Sequence, residues 1–326
     1  MGVVVSVWDA ADSPFEEGGT GVKPAEWRPT VSVVVPTYNS AAFVDATVSS
    51  ILGQTFRDFE LIISDHSSTD GTWEILQPYV ADPRVTLLRL ERSNRPEDNW
   101  QHATDAASGT YLKLVCGDDI LALTCLERQV QAIRANAGAV MVASRRDVVT
   151  ASGEVVLSSW GLPNLVGRLD GRHAIREAIR SGTNPFGEPA CVLLDRESVT
   201  RAGGWDGTFS YVLDQHTYAR VLLQGDFIGL SDPLATFRLS DTQWSHALAR
   251  SQYRQVVDFH ESLAREHPNL LSGSDLRRGR IRAKLLAYAR RFAYFSMARR
   301  LKTPVSPIEG DVVRSMTLQP ASSSLG

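Results

Sequence analysis

Residues 31–35, Val31-Ser-Val-Val-Val35, form a nearly unbroken β-branched run with no charge in it. Such a run reads as a strand covered on both faces, the situation in a parallel sheet with helices on either side. Pro36-Thr37-Tyr38-Asn39-Ser40 ends it abruptly. Apolar residues then recur at helical spacing over about 41–54, with Phe43, Val44, Thr47, Val48, Ile51 and Leu52 on one face. A second strand is expected over 59–64, a helix over about 73–80, a third strand over 84–90, a helix over about 100–107 and a fourth strand over 111–115. Parallel neighbours need long crossovers, so this alternation predicts an α/β chain with a mostly parallel central sheet and right-handed connections.

The fourth strand delivers Cys116-Gly117-Asp118-Asp119 to its carboxyl end. In open α/β sheets that edge is where ligands bind. Two adjacent carboxylates repel unless a cation lies near them. A hard divalent ion such as Mg²⁺ or Mn²⁺ suits oxygen ligands and usually also holds substrate phosphates. The same four residues also read as a solvated turn and helix cap. The polar loops after the first two strands, 36–40 and 65–72, weigh toward a ligand site.

At 326 residues and 43% hydrophobic, the chain can bury one large core or two small ones. Its formal net charge of −3 gives no global case for nucleic-acid binding. Cys116, Cys125 and Cys191 form neither a disulfide framework nor a zinc pattern. A reducing cytoplasm is therefore expected. No apolar run reaches the roughly 20 residues of a membrane span. Residues 1–29 read as a loose leader without the layout of a signal peptide. Neither Gly-x-Gly-x-x-Gly after a strand nor Gly-x-x-x-x-Gly-Lys-Ser/Thr occurs, which counts against nicotinamide and P-loop enzymes.

Val33-Val-Val-Pro-Thr-Tyr-Asn39, then Asp65-His-Ser-Ser-Thr-Asp70-Gly-Thr, then Gly109-Thr-Tyr near Gly117-Asp118-Asp119, resemble in order and spacing the family 2 glycosyltransferases. The likeness extends over about 31–246. It implies a GT-A (nucleotide-diphospho-sugar transferase) fold over 30–248: a mixed, mostly parallel central sheet flanked by helices. It also implies a nucleotide-sugar donor, a Mn or Mg divalent cation and a glycan or lipid-linked acceptor. Pro36, Thr37, Tyr38 and Asn39 would then meet the donor nucleotide, with Asp65 accepting a hydrogen bond from the base. Asn94 and Asn99 would line the same pocket, or else belong to a polar loop that caps a helix. Asp70 reads first as a helix cap. Asp118 would lie near ribose or metal, and Asp119 would ligate the metal. Departures from the family pattern include Ser64 where a second aspartate is usual, His66 where glycine is common, Cys116 where an aspartate is often found and Ser240 where histidine is often found.

Further along, a helix over about 124–135, a strand over 139–144, a hairpin over 147–157, a loop over 160–170 and a helix over 171–181 are expected. Glu188 resembles a family position near the donor sugar or acceptor. Gly203-Gly-Trp-Asp206 resembles a structural turn of the family. Leu213-Asp214 stands where the family has Glu-Asp at a helix start, with Arg220 six residues beyond Asp214. Asp214 would be the general base, taking the acceptor hydroxyl proton in a single inverting displacement; an aspartate there would also cap the helix. Leu213 would bear on acceptor geometry. Short strands are expected over 226–230 and 234–239. Arg238 would meet the diphosphate, and His246 would serve as a loop ligand to metal or phosphate. Two rivals stay in view. A nucleotidyltransferase of related fold would want basic residues in the first loop, yet residues 36–42 hold no Lys or Arg. A non-catalytic sugar-nucleotide or glycan binder would have no need of Asp214.

Residues 249–302 read as a helical extension and 303–326 as a disordered tail. From Arg277 to Lys302 the chain has no acidic residue, and Ile281, Leu285, Tyr288, Phe292 and Phe295 recur at helical spacing. That pattern fits a helix lying peripherally on an anionic membrane surface, or one packing its apolar stripe on the catalytic domain. Packing on the domain is the expectation carried forward.

Overall fold

The computed structural model describes residues 27–93, 95–239 and 251–298, and its described side chains end at Ala289. Asn94, His246, Phe292, Phe295, most of the expected leader and the tail over 303–326 lie outside the described residues.

The valine run is β1 (Val31–Thr37), buried at every position. β2 (Phe59–Asp65) is buried throughout as well and pairs with it in parallel. β3 (Val85–Arg89) extends the sheet outward from β2, and β4 (Tyr111–Leu114) pairs in parallel on the other side of β1. Between them lie α1 (Val44–Leu52), α2 (Thr72–Leu76) and α3 (Pro96–Asp105). α1 buries Val44, Thr47, Val48 and Ile51, one face at helical spacing. α2 is shorter than expected and tightens into a 3₁₀ turn over Gln77–Ala81, with a proline in its first turn. α3 begins at Pro96, four residues before the expected start at Trp100. Proline suits the first helical turn, where its missing N–H has no intrahelical partner.

The second half turns the sheet mixed. β5 (Ile120–Leu121) was not expected; it leads into α4 (Cys125–Arg134). β6 (Ala139–Thr150) continues well beyond Ser144 and turns back at 151–154 into β7 (Val155–Trp160). The expected loop over 160–170 contains β8 (Gly167–Leu169), which leads through the Asp170 cap into α5 (Gly171–Ser181). β9 (Val192–Asp195) runs antiparallel between β4 and β6. After α6 (Arg196–Arg201) and α7 (Leu213–Leu222), one strand, β10 (Asp226–Leu239), replaces the two short ones expected. Its pairing with β6 slips around Pro233, where proline has no N–H for the ladder, so the strand bends instead of ending. Among the described residues the order is β3-β2-β1-β4-β9-β6-β10-β5, with β7 on β6 and β8 on β10.

The extension comprises α8 (Gln252–Glu266) and α9 (Gly273–Ala298). Val256, Phe259, Leu263, Leu270 and Ala283 join the same hydrophobic core as the sheet. The seam between α9 and α5 is set by glycine. A methyl group on Gly279 would come within 2.3 Å of the Ile179 carbonyl oxygen, and one on Gly182 within 2.4 Å of the Ala283 nitrogen. Gly182 has φ of +67°, the left-handed turn that ends α5. This close approach buries Gly279, Ala283 and Ala287. It corrects the expectation for the apolar stripe. Ile281, Leu285 and Tyr288 do not pack on the domain; they are 51%, 63% and 60% exposed.

Candidate active site

Because β1, β2, β4 and β6 run the same way and β9 runs against them, one edge of the sheet collects five segments. These are residues 36–40, 65–68, 116–119, Arg146 and the turn that begins at Glu188. Gly117 allows the third segment to close on the first. A Cβ there would lie 2.9 Å from Ser40 Oγ and 3.0 Å from Thr37 Oγ1.

The half of this edge built from residues 36–40 and 65–70 is tightly cross-braced. Asn39, at φ of +49°, donates its backbone N–H to Ser68 Oγ (2.9 Å), and its side-chain oxygen accepts from Thr69 N–H (2.9 Å). Asp65 is fully buried; its Oδ2 accepts from Ser68 N–H (3.0 Å) and its Oδ1 from the Ser68 hydroxyl. Arg89 Nε lies 3.8 Å away. Asn99 is buried on α3. It donates to the carbonyls of Ser64 (3.0 Å) and Thr37 (3.3 Å), while Ser64 Oγ donates to its side-chain oxygen (2.6 Å). Asp70 lies one residue before Gly71, the N-cap of α2; it accepts from Thr72 N–H and from Ala41 N–H, each at 3.0 Å, and so links the start of that helix to the first loop. Pro36 and Thr37 are buried, whereas Tyr38 is 40% exposed. His66 meets Tyr38 edge-on at 6.1 Å, and the Arg92 guanidinium lies 5.2 Å from the centre of the Tyr38 ring. Ser93 N–H donates to His66 Nε2 (2.8 Å), and burial lowers the His66 pKa, so the ring is an acceptor there. His66 thus supports the aromatic surface, a use that its departure from the family pattern left open.

The other half is not braced in this way. Asp119 is 1% exposed, and neither carboxylate oxygen has a hydrogen-bond partner of good geometry. Burial, then Asp118, then Glu188 push its carboxyl well above the ordinary carboxylate range. The backbone N–H of Arg238 and the Arg146 guanidinium oppose that rise without cancelling it. Glu188 pairs with Arg146, whose Nη2 donates to Glu188 Oε1 (3.1 Å). The Nη1 of Arg146 is buried without a partner. Arg238 is buried too; its Nε donates to the Asp118 carbonyl (3.3 Å), its Nη1 to the Ala151 carbonyl (3.2 Å), and its guanidinium covers the Phe43 ring at 4.8 Å. It therefore braces the turn that carries the acidic pair.

Asp214 sits in the first turn of α7, half-buried. Its Oδ1 accepts from Gln215 N–H (2.7 Å) and its Oδ2 from Asn184 Nδ2 (2.7 Å). Burial pushes its carboxyl up to about 7, with the Gln215 N–H and Asn184 amide pulling down and Glu188 pushing up. Asn184 also donates to the Gly187 carbonyl (2.8 Å) and accepts from Phe186 N–H (3.1 Å), so it ties Asp214 to the Glu188 loop. Leu213 belongs to the hydrophobic core at 6% exposure. After burial, Asp119, Asp118, Asp214 and Glu188 each raise the Cys116 thiol pKa, so all four act electrostatically on that one position. Cys116 is thus a thiol held neutral at the centre of an acidic site. Arg146 and Asn184 escaped sequence reading, because neither lies in a motif and each works through a partner 42 or 30 residues away.

A hard divalent cation fits this donor set. The partnerless oxygens of Asp119, with Asp118 beside it, are what such an ion satisfies. Among the described residues no group of three His, Cys, Asp or Glu side chains stands ready to hold a metal. The fit is to one or two carboxylates completed by substrate oxygens, the usual situation for Mg²⁺.

The sequence profile described as "Glycosyl transferase family 2" matches residues 32–202, just over half of the chain. The chain belongs to glycosyl transferase family 2. Among its relatives, the "Putative teichuronic acid biosynthesis glycosyltransferase TuaG" of Bacillus subtilis is 37% identical over 106 residues, 32% of this chain and 42% of the relative. The "UDP-Glc:alpha-D-GlcNAc-diphosphoundecaprenol beta-1,3-glucosyltransferase WfaP" of Escherichia coli is 32% identical over 100 residues, 31% of this chain and 39% of the relative. The matched stretch thus spans less than half the length of these curated relatives. Among solved structures, the mannosyltransferase PcManGT from Pyrobaculum calidifontis, in complex with GDP-Man and Mn²⁺, aligns with a TM-score of 0.58 at 18% identity, covering 86% of this chain and 77% of that one. S. aureus TarS with UDP-GlcNAc aligns with a TM-score of 0.58 at 20% identity, covering 74% of this chain and 67% of that one. At such identities the likeness is one of fold, and the family 2 chain has the GT-A architecture.

Proposed function

We propose that this family 2 chain is an inverting, divalent-metal-dependent glycosyltransferase that moves a sugar from a nucleotide-sugar donor to a hydroxyl of a glycan or lipid-linked acceptor. The observation that carries the reading is the convergence of the partnerless Asp119 with an Asp214 poised near neutrality, on one sheet edge around Cys116.

The donor nucleotide would lie against Pro36, Thr37, Tyr38 and Asn39. Tyr38, backed by His66 and flanked by Arg92, would give the base a ring edge or face. Asp65 would reach the base only by sharing the oxygens now held by Ser68. Asp119 and Asp118 would hold the cation, which supplies Lewis-acid stabilisation of charge on the leaving diphosphate. Arg146 Nη1 is a buried donor in the same place. Glu188, fixed by Arg146, would accept from a hydroxyl of the donor sugar or the acceptor. Asp214 would take the proton from the acceptor hydroxyl as that oxygen bonds to the anomeric carbon and the bond to the diphosphate breaks from the opposite face. A base with a pKa of about 7 is matched to that transfer. Asn184 would hold the carboxylate in line through one oxygen.

The acceptor reading draws on relatives such as WfaP, whose name gives a diphosphoundecaprenol acceptor. It would put the work in cell-envelope glycan synthesis, in the cytoplasm at the inner face of a membrane. Among the described residues no helix is long and apolar enough to cross a membrane, so contact would be peripheral, through residues 277–302.

The test is a thermal-shift panel of nucleotide diphosphate sugars with and without Mn²⁺. Ligand binding to the folded state raises the melting temperature by mass action. One nucleotide class should stabilise the protein only with the metal, and the shift should vanish in Asp119→Ala. No shift with any donor would sink the reading.

A further inference from the structure

We propose that the outer face of α9 is a seat for an anionic lipid bilayer, with Ile281, Leu285 and Tyr288 dipping into the surface and arginines on both flanks meeting lipid phosphates.

The glycine seam with α5 decides which face is free. At about 100° per residue, Gly279, Ala283 and Ala287 mark the docked side, and Ile281, Leu285 and Tyr288 fall almost diametrically opposite. Three large apolar side chains in line, each more than half exposed, form a patch that a surface helix would not ordinarily leave to water. Charge then selects the occupant. Arg277 and Lys284 border the stripe on one side, and Arg278 and Arg282 on the other, all exposed and none in an ion pair among the described residues. Arg280, nearer the seam, is already paired with Glu261. The sequence has no Asp or Glu between Asp275 and Glu309. A second copy docking by the same face would set arginine against arginine. An apolar stripe between two cationic rows is instead complementary to an interface with acyl chains at the centre and anionic phosphates around it.

The placement also serves the proposed reaction. α9 touches Gly182, and Asn184, two residues on, holds Asp214. A lipid surface on the free face of α9 would thus be connected, through the helix and the Gly182 turn, to the base that must meet a lipid-linked hydroxyl. That purpose rests on the glycosyltransferase reading; the lipid seat itself does not.

The test is co-sedimentation of the full chain with vesicles of phosphatidylcholine alone and of phosphatidylcholine mixed with phosphatidylglycerol. The protein should partition to the anionic vesicles, less so as salt is added. Ile281→Ser/Leu285→Ser/Tyr288→Ser should abolish the partitioning. Arg277→Gln/Arg278→Gln/Arg282→Gln should weaken it about tenfold or more. All six positions are exposed, so both variants should keep the wild-type melting temperature and its donor-induced shift. The proposal is overturned if the wild type ignores anionic vesicles or if the apolar variant sediments as before. It is equally overturned if sedimentation velocity shows a wild-type dimer that the apolar variant dissociates. Vesicle binding without any donor shift would instead remove the glycosyltransferase reading and leave the lipid seat standing.

Discussion

The two halves of the sheet edge treat their polar side chains in opposite ways. On the braced half, Asn39, Asp65, Asp70 and Asn99 tie one another's loops and each has its partners within the fold, although Thr37 Oγ1 is buried without one. On the acidic half, Asp119 and one nitrogen of Arg146 are buried without a hydrogen-bond partner of good geometry. A buried polar atom without a partner costs folding free energy, about 1–3 kcal/mol for a neutral group and more for a charged one. The first half is a frame held by its own hydrogen bonds. The second holds unmet demand where a substrate and cation would meet it, as working sites often do. Residues that look alike in sequence, such as Asp65 at the end of β2 and Asp119 in the turn after β4, on either side of β1, are therefore treated differently by the fold.

Four experiments bear on that contrast. The largest effect is expected at Asp119. Asp119→Ala should lower sugar transfer by about 1,000-fold or more, since metal stabilisation of the leaving group supplies several kcal/mol. The same change should leave the unliganded melting temperature unchanged or raised, because it removes a buried carboxylate that lacks a well-formed hydrogen bond. A fall in melting temperature would place Asp119 with the frame. Next comes Asp214→Asn, which should cut the turnover number by roughly 100- to 10,000-fold while the metal-dependent donor shift persists. Loss of donor binding would reassign Asp214 to the donor side.

A frame residue should behave inversely. Asn99→Ala should cost about 2 kcal/mol in a denaturant titration, because it removes three buried hydrogen bonds, to the Ser64 and Thr37 carbonyls and from the Ser64 hydroxyl. If it abolishes activity without that cost, the frame reading fails. The smallest effect is a pH limb. With Asp214 at about 7, transfer should rise close to tenfold per unit of pH below that value and level off above it. The sign for stability is the reverse. The folded pKa lies above the ordinary 3.8, so the contribution of this group is complete below about pH 4 and is lost as pH rises through 7. Asn184→Ala removes a hydrogen bond to the charged form and should move the limb to higher pH by up to about one unit. An unmoved limb would mean that Asn184 shapes only the loop.

Much of this was legible in the chain. The valine run, the strand–helix alternation and the Gly117-Asp118-Asp119 turn are local, so burial and conformational preference speak directly through them. Asp214 stood out as a candidate because a carboxylate at a helix start is conspicuous within a familiar motif. The boundaries that misled were those where one local preference overrode another. Pro96 started α3 early, and Pro233 bent β10 where a break was expected.

What the sequence determined by itself was the parallel half of the sheet, the acidic turn and the candidate base, because each depends on neighbours along the chain. What only the tertiary structure decided were partnerships across distance. Asn184 reaches Asp214 over 30 residues, and Arg146 reaches Glu188 over 42. The free face of α9 was decided in the same way. A helix with small residues on one side and large apolar ones on the other looks as if it should bury the large ones. Gly279 and Gly182 allow the backbones of α9 and α5 so close that the small side fits, and the large side chains are left facing out.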